Sequence, residues 1–275
     1  MTTSVAELSA IARALRVAED DRAPIEPPSA THPGLSVEEA YDVQRMNRDR
    51  RLSEGARVVG HKIGLTSTAM QQMLGVDTPD VGSIMDDMVL ANGAGFLLDE
   101  LVDGHIEAEF AFRLARALPR DRVTREELRA AIGGVAVSAE IIDSRIRDWR
   151  ISLVDTVADN ASSARIVTGE WLPATPELLD RLPELTLTLH EDDTEIAAGP
   201  GSAVLGDPLN ALSWLAGTLA RQGTQLSPGD VVLAGAVHRM HRMRAGAAYT
   251  VRAAGFAPAQ LVTSGRVRAD RSPRA

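Results

Sequence analysis

The sequence predicts an α+β protein: a helical N-terminal lobe over residues 1–56, a strand-rich body over 57–264 and a disordered basic tail over 265–275. Three observations carry this. The first third holds two capping boxes, each followed by apolar residues at helical spacing. From about residue 57 the texture changes to short apolar runs separated by glycine, proline and acidic turns. The last residues hold Arg266, Arg268, Arg271 and Arg274 with almost nothing apolar between them.

Ser4-Val5-Ala6-Glu7 is the first capping box, and Val5, Leu8, Ile11 and Leu15 line one helical face after it. A Pro-rich stretch, Pro24 to Pro33, breaks that helix. Ser36-Val37-Glu38-Glu39 opens a second helix through Tyr41, Val43 and Met46 to about Leu52. Val58 to Ile63 reads as a strand, Thr66 to Leu74 as a short helix closed by Gly75, and Pro79 to Gly82 as a turn. Ile106 to Leu114 alternates apolar and polar, the mark of a half-buried strand. Thr124 to Glu127 caps a helix ending at Gly133, and Val135 to Ile142 is a buried strand. Leu185, Leu187 and Leu189 alternate into a hairpin at Asp192-Asp193. Asp207-Pro208 supplies an N-cap and a first-turn proline, starting a helix to Arg221 with Gly223 just beyond. Val231–Leu233, Tyr249–Val251 and Gln260–Thr263 are the remaining strands, and no internal repeat is visible.

Composition narrows the function. The formal net charge is −9, the opposite of what a phosphate-gripping surface needs, so no nucleic-acid partner is expected. No apolar run approaches the roughly 18 residues of a membrane span; the longest obvious one is Val231–Val237. The N-terminus mixes Glu7, Glu19 and Asp20 with Arg13 and Arg16, unlike a secretory or transit segment, so a cytoplasmic protein is expected. With no cysteine, disulfides, thiolate metal sites and cysteine nucleophiles are excluded together. Lysine occurs once, at Lys62, against 28 arginines. A chain that writes arginine almost everywhere keeps one compact ammonium, which points to a place where a planar guanidinium does not serve.

The candidate chemistry is carboxylate-rich. There is no Walker loop, zinc-protease helix or serine elbow. In His105-Ile106-Glu107-Ala108-Glu109-Phe110 the strand period places Glu107 and Glu109 on one face, either a solvated surface or a site. Glu140 lies inside an apolar strand, where a carboxylate pairs with a cation or shifts its pKa. Its partner is either an arginine, such as Arg145 or Arg147, or a hard oxygen-seeking ion such as Mg²⁺ or Mn²⁺. Asp155 to Ser163 is polar and small, and its plain reading is a loop in which Asn160 and Ser162 close a turn. His238 and His241 are spaced like helix ligands but lie in an Arg-rich loop.

The ordered motifs carry a resemblance. Gly60-His61-Lys62-Ile63-Gly64-Leu65-Thr66, Gly75 to Gly82, Ile106-Glu107-Ala108-Glu109, Ala139 to Arg145, Val157 to Ser163 and Pro208-Leu209-Asn210-Ala211 follow in sequence. Over about residues 36 to 262 this is similar to the 2-keto-4-pentenoate hydratase and 2-oxo-hydroxyacid decarboxylase family of the fumarylacetoacetate hydrolase superfamily. The resemblance implies that the body is a mixed β-roll and that Glu107, Glu109 and Glu140 bind one Mg²⁺ or Mn²⁺. It implies that Lys62 and Asp80 handle protons and charge, with Ser162 near the substrate or its water and Asn160 also at the substrate. The implied reaction is addition of water to a 2-hydroxy-2,4-dienoate, giving a 4-hydroxy-2-oxo acid, as in the catabolism of aromatic compounds. Alternatives within the superfamily are decarboxylation of a 4-oxalocrotonate-type diacid and hydrolysis of an acylpyruvate; a non-catalytic binding subunit is the alternative of another class. A homo-oligomer is implied as well.

Three departures from the family pattern bear on substrate choice. His105 stands where an arginine is common, Val81 replaces an aromatic, and Leu233 to Met240 differs from the hydratase pattern, with Ala234 in place of a threonine. These changes suggest a substrate whose distal substituent differs from the simple pentadienoate and carries a polar group, with His238, Arg239 and Arg242 supplying the charge lost at position 105 or closing over the pocket. His105 and Arg239 are the substrate-binding candidates they add.

Overall fold

The computed structural model describes residues 3–67, 71, 76, 78–118 and 123–265. The helix expected from Thr66 to Leu74 lies largely outside these residues, as do Gly75, Asp77 and the tail after Gly265.

Both N-terminal capping boxes form. Ser4 and Glu7 open α1 (Val5–Asp21), and Ser36 and Glu39 open α3 (Val37–Ser53), with the single turn α2 (Pro28–Thr31) in the Pro-rich stretch between them. Leu8, Ile11 and Leu15 are buried as their spacing requires, but Val5 is 72% exposed. The buried stripe therefore starts at Leu8, one turn into the helix.

The body begins with β1 (Val58–Gly64) and β2 (Asp80–Met85). The expected turn at Pro79 to Gly82 is therefore a strand from Asp80 on, every residue of it buried. Its Asp and Gly read as turn formers locally; the pairing with β1 overrides them. The chain continues through β3 (Val89–Leu90), β4 (Gly95–Leu97), β5 (His105–Leu114), α4 (Arg125–Ala131) and β6 (Ile132–Ile142). α4 thus stops at Ala131 rather than Gly133, because β6 starts three residues before Val135 to pair with the end of β5. β5 is covered on both faces rather than half-buried, with Glu107 as the interior residue that keeps partial exposure before Arg113.

Next come α5 (Leu153–Ala158), β7 (Ser163–Thr168), β8 (Leu172–Pro173), α6 (Pro176–Arg181), β9 (Thr186–Glu191) and β10 (Thr194–Pro200). The stretch read as a plain loop from Asp155 is thus a helix to Ala158. The chain ends through α7 (Pro208–Arg221), β11 (Val231–Leu233), β12 (His241–Arg242), β13 (Ala248–Ala253) and β14 (Ala259–Ser264). Asp207 caps α7 by accepting from Leu209 N–H at 2.8 Å.

One mixed sheet runs β2-β1-β11-β5-β6-β7-β3, with β12 on β5 and β8 on β6; a second runs β10-β9-β13-β14-β4. The main core fills the space between them with Phe110, Phe112, Val137, Leu189, Tyr249 and Val251. A separate apolar cluster joins α1, α3 and α5 through Leu8, Ile11, Val43 and Val157. The architecture is α+β, helical at the N-terminus and strand-rich after it. No helix among the described residues is long and apolar enough to cross a membrane.

The link between α5 and β6 is ionic. Arg145 and Asp159 are both buried and paired, and Asp159 also accepts from the Arg145 backbone N–H at 3.0 Å. Burial pushes the Asp159 carboxyl up to about 7, against the pull of the Arg145 guanidinium. Removing one partner strands the other charge in the interior. Arg145→Met is expected to cost about 3–5 kcal/mol of unfolding free energy by denaturant titration; a loss below about 1 kcal/mol would show that the pair is not the link described.

Candidate active site

Strand parity and register bring the candidate residues together. Ile106, Ala108, Phe110 and Phe112 of β5 enter the core between the sheets, so Glu107 and Glu109 face the other way. Glu140 of β6 lies opposite Glu107 in the antiparallel ladder and shares that face. Lys62 of β1 pairs with Leu233 of β11, and Leu233 pairs with Ala111 of β5, two residues from Glu109 on the same face. Asp80, at the start of β2, lies opposite Gly64.

One oxygen from each of Glu107, Glu109 and Glu140 lies within 4.8 Å of the others. Glu140 is fully buried and neither of its oxygens has a hydrogen-bond partner; Lys62 Nζ stands 3.4 Å from Oε2. The arginines that could have neutralised it are engaged elsewhere, Arg145 with Asp159 and Arg147 with Glu26. Glu109 Oε2 accepts from the Gly235 N–H at 2.8 Å. Gly235 has φ +111, and a Cβ there would lie 2.1 Å from Thr66 Oγ1, so only glycine presents that N–H. Lys62 Nζ also donates to the Ala161 carbonyl at 3.0 Å, and the Thr156 hydroxyl donates to Asp80 Oδ2 at 3.1 Å.

These groups shift one another. Burial pushes the Glu107 carboxyl up to about 8, with the neighbouring Glu140 charge adding to the effect. Glu109 rises well above its ordinary value for the same two reasons, and burial raises Glu140 and Asp80 against the opposing pull of Lys62. Burial alone would lower the Lys62 ammonium, but Glu140, Asp80, Glu107 and Glu109 more than reverse this and hold it above its ordinary value. The protein supplies one buried ammonium to four carboxylates. Three converging oxygen donors, with the Glu140 oxygens free of hydrogen bonds and only the Lys62 ammonium beside one of them, suit a hard divalent cation.

Lys62, Asp80, Glu107, Glu109 and Ser162 line one cavity of about 120 Å³. The Ser162 hydroxyl is buried and has no partner. Glu140 sits behind this lining, against Lys62. The other three candidates do not join them. Asn160 spends its carboxamide on the backbone of Ser83 and lines a neighbouring cavity. His105 is buried, donates from Nδ1 to the Asp103 carbonyl and packs edge-on against Trp149 with ring centroids 4.9 Å apart. Arg239 is exposed. The loop alternates, and Ala236, His238 and Met240 line the cavity while Arg239 points away.

Thr156, Trp149 and Met240 are lining residues the sequence reading did not select, while His238, which it named in the deviant loop, does line the cavity. For Thr156 a signal existed: once Asp155 is the third residue of a capped helix, Thr156 must follow on its buried side. The placement of Trp149 had none, because it depends on left-handed backbone at Asp148 and Trp149.

Residues 67–262 match the model of the fumarylacetoacetate (FAA) hydrolase C-terminal family. The chain belongs to the fumarylacetoacetate hydrolase family. A 2-keto-4-pentenoate hydratase from Paraburkholderia xenovorans (strain LB400) is 43% identical over 235 residues, 86% of this chain and 87% of that one. A 2-hydroxyhexa-2,4-dienoate hydratase from Comamonas testosteroni is 40% identical over 213 residues, 77% of this chain and 80% of that one. Among solved structures of the family, 4-oxalocrotonate decarboxylase from Pseudomonas putida G7, complexed with magnesium and adipate, matches with a TM-score of 0.90 at 30% identity. That match covers 95% of this chain and 99% of the decarboxylase.

The raised carboxylates set a pH dependence. Between its ordinary value of 4.5 and about 8 the folded, cation-free chain keeps a proton on Glu107 that the unfolded chain releases, so stability falls as pH rises through that window. A cation held by the carboxylates replaces those protons. The thermal midpoint of chelator-treated protein is therefore expected to fall from about pH 5 to about pH 8. Added Mn²⁺ should raise it more at the higher pH, as read by scanning calorimetry; a larger rise at the lower pH would count against the three glutamates as ligands.

Proposed function

We propose that this cavity is the active site of a divalent-metal-dependent hydro-lyase that adds water to a 2-hydroxy-2,4-dienoate, giving a 4-hydroxy-2-oxo acid. The observation that carries the reading is the meeting of three glutamates, the sole lysine and Asp80 on one cavity, in a chain similar along most of its length to named hydratases. Glu107, Glu109 and Glu140 would hold a Mg²⁺ or Mn²⁺ ion, which supplies Lewis acidity toward the 2-oxo and carboxylate oxygens of the substrate.

The protein's own groups divide the remaining work by their shifts. Lys62, held above its ordinary pKa, stays an ammonium and stabilises negative charge developing on the substrate oxygen. Asp80, raised by burial and oriented by Thr156, is the group that can carry a proton reversibly. Protonation of the dienol at C5 gives a conjugated enone, which is electron-poor at C4. Ser162, with its unpartnered hydroxyl in the lining, orients the water that adds at C4 while C3 takes a proton.

The wall of the cavity bears on the alternatives. Among the described lining residues Lys62 and His238 are the only basic side chains, and Ile142, Trp149, Ile151 and Met240 are apolar. Burial holds the His238 imidazole below its ordinary pKa and its Nδ1 donates to the Arg239 carbonyl, so a second substrate carboxylate at that wall would meet no cation, which disfavours a diacid. The polar distal group suggested by Arg239 loses its support, because Arg239 lies outside the cavity. The reading keeps the expectations of a cytoplasmic homo-oligomer acting on products of aromatic-ring cleavage.

A spectrophotometric screen of 2-hydroxydienoates with and without Mg²⁺ tests it. Turnover of a monoacid dienoate that needs the metal is the expected result; CO₂ release from a diacid without hydration would replace it with the decarboxylase reading. Lys62→Arg should lower kcat/KM at least about a hundredfold, ~2.7 kcal/mol in barrier, because guanidinium projects its charge farther and spreads it. A loss of less than about tenfold would return Lys62 to a structural role.

A further inference from the structure

The turn that carries Ser162 is built in an unusual way. Asn160, Ala161 and Ser162 all have left-handed backbone, with φ of 55°, 51° and 55°, and none of them is glycine. Such residues occur singly as a rule, so a run of three persists only where the surroundings over-determine it. The surroundings here are β2. Asn160 Nδ2 donates to the Ser83 carbonyl at 3.0 Å, and Asn160 Oδ1 accepts from the Ser83 N–H at 2.8 Å. The carboxamide thus pairs with Ser83 as a neighbouring strand residue would. Alongside, Gly82 lets the turn approach: a Cβ there would lie 2.6 Å from the Asn160 carbonyl oxygen and 3.0 Å from Lys62 Cγ. One residue beyond Asn160, the Ala161 carbonyl receives the Lys62 ammonium.

We propose that Asn160 is a positioning residue whose carboxamide clamps the left-handed turn onto β2 and, through the Ala161 carbonyl, aims the Lys62 ammonium. It touches no substrate: its side chain lies on the far side of the turn, toward α1 and α3. The inference rests on the proposed role of Lys62, and a single-lysine chain offers a readout that does not need turnover. Protein labelled with [¹³Cε]lysine gives one side-chain methylene signal, that of Lys62.

Asn160→Gly removes the clamp yet accepts positive φ freely, so the fold is spared strain. Asn160→Asp keeps the acceptor for Ser83 N–H and loses the donor to Ser83 C=O. The glycine variant is expected to lower kcat at least about tenfold with KM held within about twofold, and the aspartate variant to fall between it and wild type. At fixed pH the lysine signal should move toward that of free lysine in the same order. An unmoved signal with full kcat, or a KM that rises as much as kcat falls, overturns the inference, the second because it would place Asn160 on the substrate. Absence of dienoate turnover in the wild-type protein would fall on the functional reading instead, while the lysine signal still decides the clamp.

Discussion

Four carboxylates around one ammonium is the constraint on which the site depends. Asp80, Glu109 and Glu140 are buried, Glu107 is half-buried, and Lys62 is the cation the protein provides among them. Glu107 and Glu140 stand directly opposite each other across two strands, an arrangement that is repulsive when both are ionised. Nothing local favours it. The sheet holds the pair in place because the other faces of β5 and β6 are locked into the core between the two sheets by Phe110, Phe112, Val135 and Val137. Apolar burial on one face thus carries an electrostatic cost on the other, the usual origin of perturbed carboxylates at functional sites. An arginine in place of Lys62 would bring five fixed donors into a space where the ammonium meets one carbonyl and one carboxylate.

The helices beside the sheet hold the second wall of the cavity. Gln44 of α3 donates from Nε2 to the Val81 carbonyl of β2 at 2.8 Å and to the Val157 carbonyl of α5 at 2.9 Å. One buried amide therefore ties together the strand that carries Asp80 and the helix that carries Thr156. Asp155 does the same for α2, accepting from the Ser29 N–H and hydroxyl at 2.7 Å each while capping its own helix through Ser152. These ties leave the buried amide and carboxylate satisfied, so they lock the geometry without unpaired polar groups.

Period and capping made the long elements legible. α1, α3 and α7 start at the serine or aspartate caps the sequence displays, and β5 carries its two glutamates on the face its period assigns. The lone lysine was legible because each of the other 28 lysine or arginine positions in the chain is arginine. What stayed illegible has one physical cause: it depends on partners distant in the chain. β2 reads as a turn because its Asp80 and Gly82 suit turns locally, yet here Asp80 lies in the field of Lys62 and Gly82 lets the Lys62 stem and the Asn160 carbonyl approach. Asn160 itself reads as a residue whose amide closes a local turn, whereas Ser83, 77 positions away, uses that amide up. In the 236–240 loop the choice between His238 and Arg239 is one of parity, which no local pattern fixed.

A solved decarboxylase that this chain matches at a TM-score of 0.90 shows that the scaffold does not select the reaction by itself. Selection then falls to the side chains that line the cavity, Trp149 and Met240 among them. Trp149 is set there by two consecutive left-handed residues and by an indole N–H donated to Asp103 Oδ2 at 3.2 Å. The same Asp103 takes the Arg242 guanidinium at 2.7 Å, which draws that charge to the outside of the loop. Holding the tryptophan in and the arginine out is one arrangement, made by one carboxylate. The wall that results, with Trp149 and Met240, is apolar, and it faces a floor of carboxylates around the single Lys62 ammonium.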